Sequence, residues 1–120
     1  MVKILIVDNE KDIVEFFARI LSREGFEVLT ATSAQEGLRL ADLERPGLIL
    51  LDINMPEMDG GDVQQALSEN ATTKNIPVVF LSGLITKEEE GDIKGRLYIS
   101  KSSTKEEIIQ KIKSVLGMKW

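Results

Sequence analysis

Three apolar runs, 4–7, 48–51 and 78–81, contain no polar position, and each stops at a polar side chain: Asp8, Asp52 or Ser82. A strand without polar alternation is buried on both faces, as in a parallel sheet covered by helices above and below. The segments between the runs carry the helical spacing this requires. Ile13, Phe16, Phe17, Ile20 and Leu21 recur at three and four, with Gly25 as a stop. Residues 27–31 read as a short strand. Ser33 and Glu36 stand three apart, as in a capping box, ahead of Leu38 and Ala41, and this second helix ends before Pro46. Val63, Ala66 and Leu67 mark a third helix after Gly60 and Gly61. Residues 97–99 read as a brief last strand. Thr104 and Glu107 then repeat the capping-box spacing before Ile108, Ile109, Ile112, Val115 and Leu116, with Gly117 past the end.

Residues 84–96 carry the weakest pattern. They include a charge run at 87–90, and Gly83, Gly91 and Gly95 would each cost a helix about 1 kcal/mol relative to Ala. A short or irregular fourth helix is expected there. Five strands alternating with five helices predict an α/β fold, a single doubly wound parallel sheet with helices on both faces, because parallel neighbours need right-handed crossovers. At 120 residues the chain is expected to form one domain, 1–120.

Composition narrows the chemistry. Twenty acidic against fifteen basic residues give a formal charge of −5, the wrong sign for tracking nucleic-acid phosphates. No apolar run approaches the roughly 18 residues of a membrane span, and no signal-peptide pattern is present, so a cytoplasmic location is expected. The chain has no Cys and no His, which excludes thiolates, imidazole bases and a phosphohistidine carried by the chain itself. Carboxylate, hydroxyl and amine remain.

In an open α/β sheet ligands bind beyond the carboxyl ends of the strands. Those ends carry Asp8-Asn9, Asp52, Ser82 and Ser100-Lys101. Singly, an acid after a strand is more often a helix cap and a loop Ser or Lys more often faces water. Together they make a set in which Asp8 and Asp52 offer hard oxygens for Mg²⁺, Lys101 offers a positive charge for a phosphate, and Asp52 can act as a carboxylate nucleophile.

Residues 4–10 (Ile-Leu-Ile-Val-Asp-Asn-Glu), 50–60 (Leu-Leu-Asp-Ile-Asn-Met-Pro-Glu-Met-Asp-Gly), 80–83 (Phe-Leu-Ser-Gly) and 98–101 (Tyr-Ile-Ser-Lys) resemble, in order and spacing, the response-regulator receiver domain, the CheY-like module of two-component signalling. The resemblance covers essentially the whole chain. It implies a flavodoxin-like strand order 2-1-3-4-5 and a phosphoacceptor switch that takes a phosphoryl group from a histidine kinase or phosphotransfer protein. Asp52 would be the acceptor. Asp8, Asn9, Asp52 and the Asn54 carbonyl would hold Mg²⁺, and Ser82 and Lys101 would sense the phosphate. Tyr98 falls at the aromatic switch position, where its alternative is a plain edge-strand aromatic. Asn54 and Leu84 fall where relatives tune hydrolysis, and an apolar Leu84 implies a longer-lived phosphoryl state.

The chain departs from the pattern in three places. Asn9 stands where a second acid is usual, so weaker Mg²⁺ binding is expected than in an Asn9→Asp variant. Ser102 replaces the usual Pro after Lys101, so a trans bond is expected. The segment between Ser82 and Lys101 is about one helical turn short; in relatives the fourth helix, fifth strand and fifth helix form the surface that signals to partners, so the common receiver dimer through that face is not expected. The competing readings are a pseudo-receiver that binds partners without phosphorylation and a small Mg²⁺-dependent phosphatase. The chain ends at Trp120 with no output domain in view, as a stand-alone receiver or a piece of a longer protein.

Overall fold

The computed structural model describes residues 2–56, 58–83, 91–93 and 96–117. In chain order these form β1 (Lys3–Val7), α1 (Lys11–Arg23), β2 (Glu27–Ala31), α2 (Ala34–Glu44), β3 (Leu48–Asp52), α3 (Gly60–Ser68), β4 (Val78–Ser82), β5 (Gly91–Ile93), β6 (Arg96–Ser100) and α4 (Lys105–Val115). The sheet order is β2-β1-β3-β4-β6-β5. Five strands are mutually parallel, and taking β6 as the fifth of them the order is the expected 2-1-3-4-5.

The period of two along a strand explains why the apolar runs are unbroken. Ile4, Ile6, Leu48, Leu50, Val79, Leu81 and Ile99 face one side, where Val14, Phe17 and Leu21 of α1 and Ile108 and Ile112 of α4 cover them. Leu5, Val7, Ile49, Leu51 and Phe80 face the other side, under Ala34 and Ala41 of α2 and Val63 and Leu67 of α3. Every position of β3 is buried.

The helix ends follow local chemistry. Gly25 takes φ 95° just past α1, a conformation glycine adopts without a Cβ penalty. Thr104 and Glu107 form a complete capping box on α4, with bonds of 3.2 and 2.7 Å. At α2 only the Ser33 half follows the expectation: Ser33 Oγ accepts from the Glu36 N–H at 3.2 Å, while the Glu36 carboxylate is gripped by Arg39 at 3.0 and 2.7 Å.

The expected fourth helix needs correction where it can be seen. Residues 91–93 form β5, antiparallel to β6, with Ile93 opposite Arg96 and Gly91 opposite Tyr98. Only two residues separate the paired ends. Residues 84–90, including Leu84, lie outside the described residues. β5 also removes Tyr98 from the sheet edge, so its plain edge-strand alternative no longer holds. Among the described residues no peptide bond is cis, as expected at Lys101-Ser102, and no helix is long and apolar enough to cross a membrane.

Candidate functional site

Parallel strands deliver their carboxyl ends to one side of the sheet, so Asp8 after β1, Asp52 at the end of β3, Ser82 at the end of β4 and Lys101 after β6 meet there. The backbone ties them together. The Asp8 N–H continues the ladder to the Ala31 carbonyl at 3.1 Å, and the Lys101 N–H donates to the Ser82 carbonyl at 2.9 Å. Ser100 and Ser102, on either side of Lys101, bring their hydroxyls within 2.8 Å of each other.

Lys101 is the centre of the charge arrangement. Its Nζ lies 2.9 Å from Asp8 Oδ2, 3.2 Å from Asp52 Oδ1 and 2.8 Å from Glu10 Oε1. Asp8 is fully buried and Asp52 is 3% exposed. Each is braced by the chain just after it: Asp8 Oδ1 accepts from the Glu10 N–H at 2.8 Å, and Asp52 Oδ1 from the Asn54 N–H at 3.3 Å. Burial and the neighbouring Asp8 charge push the Asp52 carboxyl above its ordinary value, against the pull of Lys101 and the Asn54 N–H. For Lys101, burial opposes the charged form. Its hydrogen bond to Glu10 and its close pairing with the Asp8 and Asp52 carboxylates outweigh that and raise the group above its ordinary value.

Oxygen donors of this kind suit Mg²⁺, which takes one or two carboxylates and keeps several waters. Asp8 Oδ2 is the oxygen that bears on the fit. It is buried and close to the Lys101 charge, yet it receives no aligned hydrogen bond, so a lone pair remains for a cation. Among the described residues no three acidic side chains come together as a metal cluster, so the two aspartates would need the Asn54 carbonyl and water to complete a shell. Asn9 and Asn54 are exposed beside the pair.

Two features were not legible in advance. Glu10 directly precedes the first helix. It is the N-cap of α1, but its side chain makes no cap bond and reaches Lys101 instead. At Gly60 the demand is closeness: a Cβ there would meet Phe80 Cε1 at 2.9 Å, Ile53 Cα at 3.0 Å and the Asp52 carbonyl at 3.1 Å. That contact seats the start of α3 against the strand end that carries Asp52. Tyr98 is half-buried, its ring 5.5 Å from that of Phe80.

Residues 4–113 match the response regulator receiver domain. The chain belongs to that family. It is 34% identical over 123 residues to a probable transcriptional regulator, ycf27, of Cyanophora paradoxa, and 32% identical over 120 to the alkaline phosphatase synthesis transcriptional regulatory protein PhoP of Bacillus subtilis. Each alignment covers 95% of this chain and 48% of the relative, so the receiver spans about half the length of both. It is 32% identical to the polar-differentiation response regulator DivK of Brucella anthropi, with 95% of each covered. Among solved structures it superimposes on a response regulator from Desulfuromonas acetoxidans with TM-score 0.84 and 32% identity, covering 98% of both chains. Chemotaxis protein CheY4 of Vibrio cholerae gives TM-score 0.84 at 29% identity, covering 96% of this chain and 98% of that one. The chain is thus a receiver domain of two-component signalling.

Proposed function

We propose that this receiver is a phosphoacceptor switch in which Asp52 takes a phosphoryl group from a phosphohistidine of a histidine kinase or phosphotransfer protein. The observation that carries the reading is the Asp52 carboxylate, buried at a strand end beside a lysine ammonium and a second carboxylate. The donor chain must supply the histidine, since this one has none. An Asp52 oxygen forms a bond to phosphorus as the phosphorus–nitrogen bond breaks, and the electron pair leaves on the imidazole. The Asn54 N–H and Lys101 orient the carboxylate, and the ammonium offsets the incoming charge. Asp8, Asn9, Asp52 and the Asn54 carbonyl would hold Mg²⁺, which when bound neutralises phosphoryl oxygens and aligns the transfer. Ser82, joined to Lys101 through the backbone, would donate to the phosphoryl group, and its shift would draw Tyr98 inward beside Phe80 and change the surface offered to a partner.

Intact-mass spectrometry after incubation with Mg²⁺ and acetyl phosphate is expected to show one phosphoryl adduct, lost in Asp52→Asn and without metal. A folded protein with no adduct would overturn the proposal in favour of a pseudo-receiver that binds partners unphosphorylated.

Asn9 bears directly on the metal. An amide supplies an oxygen but no charge, so Asn9→Asp is expected to bind Mg²⁺ about ten-fold more tightly, one added carboxylate near a dication being worth about 1 kcal/mol or more at this solvated position. Mg²⁺ titration followed by NMR chemical shifts checks this, and equal affinity in the two chains would contradict it.

A further inference from the structure

The Lys101 ammonium lies among three carboxylates, Glu10 at 2.8 Å, Asp8 at 2.9 Å and Asp52 at 3.2 Å, and its aligned hydrogen bond goes to Glu10. A phosphoryl oxygen arriving at Asp52 would draw on the same ammonium and so compete with the carboxylates around it. Asp52 is the reacting group. Asp8 is fully buried, and leaving its charge without the lysine would carry a large desolvation penalty. Glu10 is different. Its side chain is 59% exposed, so water can replace the lysine at little cost.

Its position in the chain reinforces this. Glu10 occupies the N-cap of α1, where a short polar side chain would turn back onto the helix, yet it makes no cap bond and spans to a residue 91 positions away. Asp8, which accepts from the Glu10 N–H, holds the backbone from which that side chain extends.

We propose that Glu10 is a positioning residue, the exchangeable third partner of the Lys101 ammonium, which holds the lysine over the site at rest and competes with the incoming phosphoryl group for it. The inference rests on the phosphoacceptor reading of Asp52. Glu10 touches neither donor nor reacting atoms and acts only through Lys101. Replacing it with a neutral amide weakens the competitor while leaving Asp8 and Asp52 in place.

The test is the rate of Asp52 phosphorylation by acetyl phosphate with Mg²⁺, measured against donor concentration. In the step, an Asp52 oxygen–phosphorus bond forms as the phosphorus–oxygen bond to acetate breaks and the electron pair leaves with acetate. Three full-length chains are compared: the parent, Glu10→Gln, and Asp12→Asn, which removes one exposed charge from the first turn of α1 at a residue with no contact to Lys101. Glu10→Gln is expected to lower the half-saturating donor concentration about three-fold, the worth of a largely exposed ion pair, with the maximal rate unchanged. The Lys101 ammonium resonance should move in that variant. Asp12→Asn should match the parent in both readouts, because exposed charges further off are screened.

Equal half-saturation in parent and Glu10→Gln would overturn the proposal. So would an equal drop in Asp12→Asn, which would mean that net charge alone matters, or a fall in the maximal rate of Glu10→Gln, which would mean that Glu10 builds the site. No adduct on the folded parent would overturn the phosphoacceptor reading and this inference with it, whereas an adduct with unchanged kinetics would overturn this inference alone.

Discussion

Lys101→Met is expected to destabilise the folded chain by about 3–5 kcal/mol at neutral pH, the usual result of removing one partner from a buried charge cluster. Methionine keeps the length and most of the volume of the lysine stem, so lost packing contributes little. What changes is charge. Asp8 and Asp52, both almost without exposure, would face each other with no cation between them. Urea denaturation should show a lower midpoint at an unchanged slope, the mark of lost stability rather than an altered denatured state. Adding Asp52→Asn should restore more than half of the loss, because one of the two opposed charges is then gone. Recovery of less than that would mean that Lys101 matters mainly for packing.

The pH dependence follows from the directions of the shifts. Asp52 has a raised value in the fold, so the folded chain holds its proton more tightly than the unfolded chain does. Its contribution to stability is fully present below the ordinary carboxylate value and is lost as pH rises through the raised one. Lys101 is raised as well, so its contribution is fully present below the ordinary lysine value and disappears only as pH rises through the folded-state one. At neutral pH the Asp52 charge is therefore a cost that Lys101 offsets only in part. Asp52→Asn alone should accordingly raise the urea midpoint at neutral pH, and the gap from the parent should close on acidification, where the parent carboxylate is also uncharged. A gap that is constant across this range would contradict the assignment.

Phe80→Ala is expected to cost about 3–5 kcal/mol, a large-to-small change at a position 1% exposed. The ring fills the space between the start of α3 and the side chain of Tyr98, so its loss leaves a void bounded by Gly60 and Tyr98. Gly60 provides the internal check. An added Cβ there meets the Phe80 ring, which truncation removes, but also Ile53 Cα and the Asp52 carbonyl, which are backbone and cannot step aside. Gly60→Ala and Phe80→Ala should therefore combine to less than their sum, with part of the Gly60 cost surviving in the double variant. Full additivity in thermal or urea unfolding would show that the ring and the glycine do not share the space.

Much of this molecule was readable in advance. Unbroken apolar runs announce strands buried on both faces whatever surrounds them, and the three-and-four spacing of Ile13, Phe17, Ile20 and Leu21 announces the helix that covers one of those faces, although Phe16, read with them, is exposed. Asp8, Asp52, Ser82 and Lys101 were legible as a set because parallel strands carry their ends to one side. Less was legible at 91–93. There Gly91 and Asp92 have little propensity for a strand, and only the short link to Arg96 makes pairing with β6 the accessible arrangement.

The sequence by itself determined the alternation of strands and helices, the two-sided core and which residues lie at the strand ends. Those depend on periods of two and 3.6 and on hydrophobic burial, which act within a few neighbouring residues. The tertiary structure alone decided that one lysine serves three carboxylates, that Glu10 gives up its cap for Lys101 and that Gly60 is required by a ring and a carbonyl from two other segments. Each of these is a distance between atoms far apart in the chain, set to a few tenths of an ångström by close packing, and no local pattern encodes such a distance.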